Sequence, residues 1–288
     1  MYDVLIVGGG PAGLTAAIYL SRAGRKTAVI DPIPAGGQAG IINEIANYPG
    51  FVSISGYELI DNMIKQAKEF GTEFIRREAV EINVSAMSVA LSDGSRLEAR
   101  AIVYAAGCKA KSLGLSGEKE LAGSGVSYCA TCDGGFYKGR AVAVAGYGKK
   151  AEEACEYLKN IASKVYLINR GGRSVEGTEK IDGSVTKLVG RPLTAVEVAL
   201  DSGNVVSLET SCLFVEAGYV PVTHLLAGKV RMDDRGYIYT DENMMTDVNG
   251  IFAAGDVRVK NLRQIVTAAA DGAIAAQAAG AYLSGKRE

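Results

Sequence analysis

The stretch DVLIVGGGPAGLTAAIYLSRAGRKTAVID, residues 3–31, decides the fold. Asp3–Val7 predicts a short apolar strand, and a glycine-rich turn follows it at residues 8–13. Leu14–Ala23 has the apolar periodicity of a helix, and Lys26–Asp31 predicts the next strand. This order of strand, glycine turn, helix and strand is typical of the βαβ unit that binds dinucleotides.

The glycines of this turn have the spacing that a pyrophosphate-binding turn requires. Gly8 permits the tight turn, Gly10 lets the backbone approach a pyrophosphate, and Gly13 allows close helix packing. Asp31 ends the second strand, where an acid can accept a hydrogen bond from a ribose 2'-hydroxyl. A purely structural glycine turn is the alternative, and the strand, helix and acid in sequence disfavour it.

A second segment, residues 141–170, repeats the pattern. Ala141–Ala145 predicts a strand, Glu152–Asn160 a helix and Lys164–Asn169 the following strand. The two starts lie about 138 residues apart, which predicts an α/β fold with two doubly wound Rossmann-like domains. Residues 250–283 again read as strand, loop and Ala-rich helix without a glycine fingerprint. We therefore assign them to the first domain, so that the second domain is inserted into the first.

The second glycine turn departs from the ideal pattern. Gly146, Gly148 and Ala151 keep the spacing. Lys149 and Lys150 stand where the helix begins, and two lysines there oppose the helix dipole. They either contact phosphate or an acidic partner, or they are solvated surface charges.

The strand after that turn ends in INRGGRS, residues 168–174, where an NAD site would have an acid. Arg170 and Arg173 would suit a 2'-phosphate if they converge. Isolated surface arginines are the equally simple alternative.

A CATCDG sequence at residues 129–134 precedes the second fingerprint. The spacing of Cys129 and Cys132 brings two thiols within disulfide reach and lowers the pKa of one of them. Thiol exchange also needs a proton donor, and Asp133 is the adjacent candidate; a helix N-cap or turn residue is its alternative role. A zinc site would require two further ligands, and the single histidine, His224, is isolated in the sequence.

The composition restricts the remaining function classes. The chain has 288 residues, 48% of them hydrophobic, and a formal net charge of -1 without a long basic run, so we do not expect nucleic-acid binding. We find no secretory signal and no apolar stretch of membrane-spanning length, and we therefore expect a cytoplasmic protein without membrane contact. We expect Cys108, Cys155 and Cys212 to be buried apolar residues without a role.

With these residues in place, the chain resembles the low-molecular-weight thioredoxin reductases over almost its full length. The motifs follow one another in the family's order. They are GGGPAGLTAAIYLSRAG (8–24), GGQ (36–38), NYPG (47–50), AAGC (105–108), CATCDG (129–134), GIFAAGDV (250–257) and RQIVTAAADGAIAA (263–276).

The resemblance implies an FAD-binding domain made of residues 1–112 and 245–288. Residues 113–244 would form the inserted domain that carries the CxxC pair. The residues implied in FAD binding are Gly8, Gly10, Pro11, Ala12, Gly13, Asp31, Gly37, Gln38, Asn47, Gly255, Asp256, Arg263, Gln264 and Ile265. The resemblance also implies a homodimer, a swivelling of one domain against the other, and Cys132 as the sulfur that faces the flavin.

The departures from the family fall on the nicotinamide site. The family's His-Arg-Arg segment is absent at Asn169–Gly172, and few residues separate Ser174 from Thr194. In both respects the chain is similar to the ferredoxin-dependent flavin thioredoxin reductases, which lack pyridine-nucleotide motifs. This resemblance implies that reduced ferredoxin passes electrons through FAD to the Cys129–Cys132 disulfide and on to thioredoxin.

Three alternatives stay open at this point. The chain could be an NADPH-dependent thioredoxin reductase with an atypical nucleotide site. It could be a related disulfide oxidoreductase that holds a second flavin, or a flavin-bound redox sensor that does not turn over.

Overall fold

A computed structural model describes residues 1–33, 36–42 and 44–285. The chain forms two compact α/β units. The first consists of Met1–Lys109 and the chain from Val220 onward, and the second is Ala110–Tyr219. The α/β class and the insertion of the second unit into the first are as predicted.

The second boundary differs from the sequence prediction. The chain returns to the first unit at residue 220, whereas we predicted the return at residue 245. Residues 220–244 belong to the first unit because they pack on its sheet: Leu226 and Ile238 are fully buried in one core cluster with Ile102. Ile238 also bridges to Arg258 in parallel pairing. Short bridges of this kind have no periodic pattern, so the sequence did not indicate them.

The described residues form the following strands, in chain order. They are β1 (Tyr2–Val7), β2 (Thr27–Ile30), β3 (Glu73–Ile75), β4 (Ala79–Asn83), β5 (Ser88–Leu91), β6 (Arg96–Tyr104), β7 (Cys108–Ala110), β8 (Val126–Ser127), β9 (Ala141–Gly146), β10 (Lys164–Asn169), β11 (Glu179–Val189), β12 (Ala195–Leu200), β13 (Val205–Glu209), β14 (Cys212–Glu216), β15 (Tyr219–Pro221) and β16 (Ile251–Ala253).

The α-helices are α1 (Pro11–Arg22), α2 (Gly56–Glu69), α3 (Ala130–Asp133), α4 (Gly148–Leu158) and α5 (Ile265–Leu283). Short 3-10 turns occur at Ala39–Ile41, Gly134–Tyr137, His224–Leu226 and Gly255–Val257.

Helix α1 starts three residues earlier than the apolar periodicity predicted. Gly10 is its N-cap and Pro11 its first residue, a position where proline loses no hydrogen bond because the N–H would have no partner within the helix. The glycine turn therefore leads directly into the helix.

The first unit is built on a sheet with the order β3-β2-β1-β6-β5-β4, and β16 also pairs with β6. Strands β1, β2, β3, β6 and β16 pair with one another in parallel, while β4 and β5 form an antiparallel extension on β6. Helices α1 and α5 cover one face together with α2. The C-terminal segment thus belongs to the first unit, as predicted.

The second unit has the sheet order β13-β12-β11-β10-β9-β14-β8. Strands β8, β14, β9, β10 and β11 are parallel, and β12 and β13 continue the sheet in antiparallel pairing. Residues 170–178, all of them described, join β10 to β11 without a helix. A parallel connection usually contains a helix, so this unit is shortened on the side where a nucleotide's adenosine would lie.

The chain crosses between the units twice, through β7 and β15, and these two strands pair with each other. Of the helices within the described residues, none combines the length and the apolar character that crossing a membrane requires.

The contact between α1 and α5 gives the first test. A Cβ atom at Gly272 would collide with the backbone oxygen of Ala12, whereas at Gly280 of the same helix nothing lies within 4 Å. We expect Gly272→Ala to lower the free energy of unfolding by at least about 1–3 kcal/mol, because backbone atoms of α1 must move. Thermal and chemical denaturation measure this change.

Gly280→Ala is the matched control. It should leave stability unchanged or raise it by up to about 1 kcal/mol, since alanine is the better helix former. Equal stability of the two variants would contradict the described helix contact.

Candidate functional site

The first glycine turn is closed on one side and open on the other. Gly8 has φ +110°, and side chains at Gly8 or Gly13 would collide with the backbone oxygens of Ala105 and Gly8, respectively. At Gly10 the nearest atom to an added Cβ is the oxygen of Gly36, 3.8 Å away. The turn therefore keeps a free backbone face at Gly10, at the N-terminus of α1, where a phosphate group is favoured.

Asp31 lies at the end of β2, directly beside this turn. Its Oδ2 accepts a hydrogen bond from Gly9 N at 2.6 Å, and its Oδ1 accepts one from Ile33 N at 2.9 Å. Burial raises the pKa of this carboxyl, and the two N–H donors oppose the rise. Each carboxylate oxygen has a second lone pair, so the side chain can still accept a hydrogen bond from a hydroxyl group.

The loop after β2 holds three further predicted residues, Gly37, Gln38 and Asn47, which are all exposed. Gln38 donates through Nε2 to the carbonyl oxygen of Cys108. Its neighbour Gly37 has φ +57°. Asn47 Nδ2 donates to Gln264 Oε1 at 3.1 Å, which ties the loop to the start of α5.

Asp256 has the most unusual environment of the predicted residues. Its Oδ1 is buried and has no hydrogen-bond partner among the described residues, while Cys108 Sγ lies 3.8 Å from Oδ2. Burial raises the pKa of this carboxyl, and Lys260 and Arg263 partly offset that rise. A buried acceptor without a donor is costly, so this atom is positioned to receive a ligand's hydroxyl group.

The segment before α5 is held by the backbone around it. Arg263 donates to the carbonyl oxygen of Arg258 at 3.2 Å, and its guanidinium lies 4.2 Å from the ring centre of Tyr237. Gln264 is the N-cap of α5 and forms a reciprocal capping box with Thr267. Ile265 then begins the helix.

Sequence reasoning missed Asp271, which orders this region from within α5. It is 6% exposed, and its Oδ2 accepts from Gly255 N at 3.0 Å, Arg258 Nε at 2.9 Å and Lys260 Nζ at 2.8 Å. The sequence signal was a single acid in an Ala-rich helix. Asp271 fixes the backbone at Gly255, where φ is +81°.

The predicted cofactor residues thus lie together in the first unit, with the glycine turn, Asp31, Gln38, Asp256 and the start of α5 linked by short contacts. The open backbone face at Gly10 and the unpartnered buried oxygen of Asp256 fit the pyrophosphate and the hydroxyl groups of FAD, the group that the resemblance implies.

The second unit holds the CxxC pair. Cys129 and Cys132 form a disulfide across the four-residue helix α3, with Cα atoms 5.3 Å apart. Both cysteines are partly exposed. The predicted disulfide reach of the CxxC spacing is therefore present in the structure.

Asp133 contacts the residues that precede this disulfide. Its Oδ2 accepts from the hydroxyl of Ser127 at 2.7 Å, and Ser127 Oγ also accepts from Cys129 N at 3.1 Å. Burial raises the pKa of Asp133, and the Ser127 hydroxyl opposes this. The side chain makes no capping hydrogen bond, so the alternative role of a helix cap finds no support. Ser127 had no motif to reveal it in the sequence.

The three other cysteines are buried, as expected. Cys212 has a polar neighbour, because the hydroxyl of Tyr137 acts on the pKa of its thiol and opposes the rise that burial causes. Within the part of the chain that the structure describes, no group of three or more His, Cys, Asp or Glu side chains is arranged to hold a metal ion.

The basic residues near the second glycine turn each contact a different side chain. Lys149 lies 3.5 Å from Glu153, and Arg170 lies 3.1 Å from Asp201. The ammonium of Lys150 lies over the ring of Tyr219, 5.0 Å from its centre. All three side chains are exposed, so the surface-charge interpretation suits them, although Lys150 also contacts an aromatic ring.

A surface cleft of about 480 Å³ lies where α4 meets the connection after β10. Lys149 and Arg173 line it together with glutamates, and the glutamates outnumber them. The acidic lining consists of Glu152, Glu153, Glu156 and Glu176. A 2'-phosphate would meet an excess of negative charge there.

Comparison with known proteins gives the chain's relatives. The family model described as pyridine nucleotide-disulphide oxidoreductase matches residues 2–272. Thioredoxin reductase of Peptoclostridium acidaminophilum is 40% identical over 311 aligned residues, covering 100% of this chain and 99% of the relative. Thioredoxin reductase of Bacillus subtilis is also 40% identical, with 100% and 96% covered.

Among solved structures, thioredoxin reductase of Streptococcus pyogenes matches with a TM-score of 0.94 at 36% identity and covers 99% of both chains. That of Giardia duodenalis matches with a TM-score of 0.92 at 32% identity, covering 98% of this chain and 99% of its own. The chain belongs to the pyridine nucleotide-disulphide oxidoreductase family, and these thioredoxin reductases are relatives of the low-molecular-weight type.

Proposed function

We propose that this protein is an FAD-dependent thioredoxin reductase in which Cys129 and Cys132 carry electrons to the partner's disulfide. The observation that carries the proposal is the Cys129–Cys132 disulfide with a partly buried carboxyl, Asp133, hydrogen-bonded to Ser127 beside it. Both features occur on a chain whose relatives are thioredoxin reductases.

We propose the first unit as the FAD site. Gly8, Gly10, Pro11, Ala12 and Gly13 would receive the pyrophosphate at the start of α1, and Asp31 would accept from the ribose. The residues that would hold the remainder are Gly37, Gln38, Asn47, Gly255, Asp256, Arg263, Gln264 and Ile265. FAD, when bound, supplies the electron pair that reduces the disulfide.

The dithiol then reduces thioredoxin by two exchange steps. One thiol loses its proton and attacks the partner's disulfide, which forms a mixed disulfide and releases a partner thiolate. The second thiolate attacks its neighbour's sulfur, so that the Cys129–Cys132 bond forms and the partner leaves with two electrons and two protons. Asp133 would accept and return the proton at the cysteines. Cys132 is the sulfur proposed to face the flavin, and Cys129 then attacks thioredoxin.

For the electron donor we propose reduced ferredoxin. The support lies in the second unit, where Lys149, Lys150 and Arg170 have separate partners and the cleft beside Arg173 is predominantly acidic. The connection from β10 to β11 also lacks a helix. These features give a pyridine nucleotide's 2'-phosphate little to bind.

NADPH is the second candidate donor, and one observation favours it. The turn at Gly146–Gly148 retains its strand and helix, and Gly148 has φ +66° with no atom within 4 Å of an added Cβ. A dinucleotide could therefore approach the backbone there.

We also propose that the protein works in the cytoplasm as a homodimer. A single close cysteine pair and three buried cysteines are typical of a reducing compartment.

Light scattering tests the proposed homodimer by measuring the molar mass of the FAD-bound protein in solution. The mass of a monomer would contradict the dimer.

An anaerobic donor titration tests the proposed function. We expect reduced ferredoxin to bleach the flavin absorbance and to sustain thioredoxin reduction, whereas NADPH should do neither. Stoichiometric bleaching by NADPH with steady thioredoxin turnover would contradict ferredoxin as the donor. Release of more than one FAD per chain on denaturation would support a disulfide oxidoreductase that holds a second flavin. Reduction of the flavin without any thioredoxin turnover would support a redox sensor.

The carboxyl of Asp133 gives a second prediction. Asp133→Asn should lower thioredoxin turnover by about 10²-fold or more while FAD stays bound, because a positioned acid–base group contributes about that much. Asp182→Asn removes an exposed carboxylate that pairs with Lys180 in the same unit and should leave turnover unchanged. If both variants turn over at the parent rate, Asp133 is not the proton carrier.

Ser127→Ala tests the same group through its pH dependence. The Ser127 hydroxyl lowers the pKa of Asp133, so its removal should raise that pKa further. The midpoint of the pH profile that reports Asp133 should therefore move to higher pH, and Ser127→Thr should restore it. A midpoint that stays in place or moves down would count against the assignment.

A further inference from the structure

The second glycine turn has an acidic neighbour that the proposed reaction does not use. The strand order of the second sheet reverses between β9 and β14, and both strands are parallel there. In open doubly wound sheets, ligands bind at the carboxyl ends of the strands at such a reversal. Glu216 is the last residue of β14 and pairs with Gly146, the last residue of β9.

Glu216 stands directly against the turn that would carry a pyrophosphate. A Cβ atom at Gly146 would lie 2.8 Å from the Cβ of Glu216 and 2.6 Å from its backbone oxygen. The side chain is partly buried. The carboxylate accepts a hydrogen bond from the backbone N–H of Ala130, at the start of the short helix between the cysteines.

Few charges neutralise this carboxylate. Helix α4 contributes Lys150, which attracts it, and Glu153, which repels it; the Cys155 thiol lies on the same helix within electrostatic range. Lys150 is also engaged over the ring of Tyr219. Burial is the largest influence and raises the pKa of Glu216 to about 7, with the Ala130 N–H and Lys150 opposing it.

We propose that Glu216 is a specificity residue that excludes pyridine dinucleotides from the second unit. Its carboxylate lies where the pyrophosphate of NADPH would approach the Gly146–Gly148 turn. The two negative charges would repel each other, and in a partly buried site this repulsion is only weakly screened. The proposal rests on the proposed function, in which electrons do not enter through this unit.

The test measures NADPH binding to the FAD-bound protein. Glu216→Gln removes the charge and keeps an oxygen that can accept from Ala130 N. At pH about 8 we expect the dissociation constant for NADPH to fall about tenfold or more relative to the parent protein. Glu209→Gln, an exposed carboxyl on β13 at the far edge of the same sheet, changes the net charge equally and should leave binding unchanged.

The pH dependence separates a charge effect from a change of shape. Because the pKa of Glu216 is about 7, the parent and Glu209→Gln should bind NADPH more tightly at pH 6 than at pH 8. Glu216→Gln should lose most of this difference. Glu216→Ala is measured in parallel with Glu216→Gln. If one of the two variants does not fold, the other still tests the proposal.

Equal NADPH affinity in the Glu216 and Glu209 variants, at both pH values, would overturn the proposal. Ferredoxin-driven thioredoxin turnover of the parent protein is measured separately. Loss of that turnover would refute the proposed function, whereas the affinity ratio between the two variants judges Glu216 alone.

Discussion

The structure depends on one steric constraint, which is that backbone atoms must meet without intervening side chains around the N-terminus of α1. A side chain at Gly13 would collide with Gly8, and one at Gly272 with Ala12; at Gly255 an added Cβ would lie 2.9 Å from the Cβ of Ala12. These glycines bring β1, α5 and the turn after β16 to a single point. The proposed pyrophosphate site is at this point, so the packing of the first unit and its cofactor chemistry have the same cause.

The two glycine turns have the same residue spacing but differ in backbone geometry and in neighbouring charges, since the positive φ falls at Gly8 in the first and at Gly148 in the second. In the first, the open backbone at Gly10 has a neighbouring carboxylate, Asp31, whose oxygens already accept backbone N–H groups. In the second, Glu216 lies at the turn itself and Lys150 is shared between it and Tyr219. Glycine spacing therefore does not by itself determine ligand binding, because the charges around the turn influence which anion can approach.

The sequence predicted those parts that depend on local pattern. Strand β1, the turn after it and the CxxC pair each follow from residues adjacent in the chain, and Gly8 to Gly13 could be given roles before any contact was known. The sequence failed where contacts are distant. Ser127 beside Asp133, Asp271 beneath Gly255 and Glu216 beside Gly146 have no local signal, because strand register and helix packing create these neighbours. The boundary at residue 220 was missed for the same reason, since isolated bridges and the burial of Ile238 place that segment.

We propose that the Cys129–Cys132 disulfide is a redox centre that exchanges electrons with FAD bound to the same chain. An anaerobic titration of the FAD-bound protein with dithionite tests this most directly, with Cys132→Ser as the comparison. We expect the parent to take up two electrons for the disulfide and two for FAD, and the variant to take up only the pair for FAD. Equal electron uptake by the two proteins would contradict it.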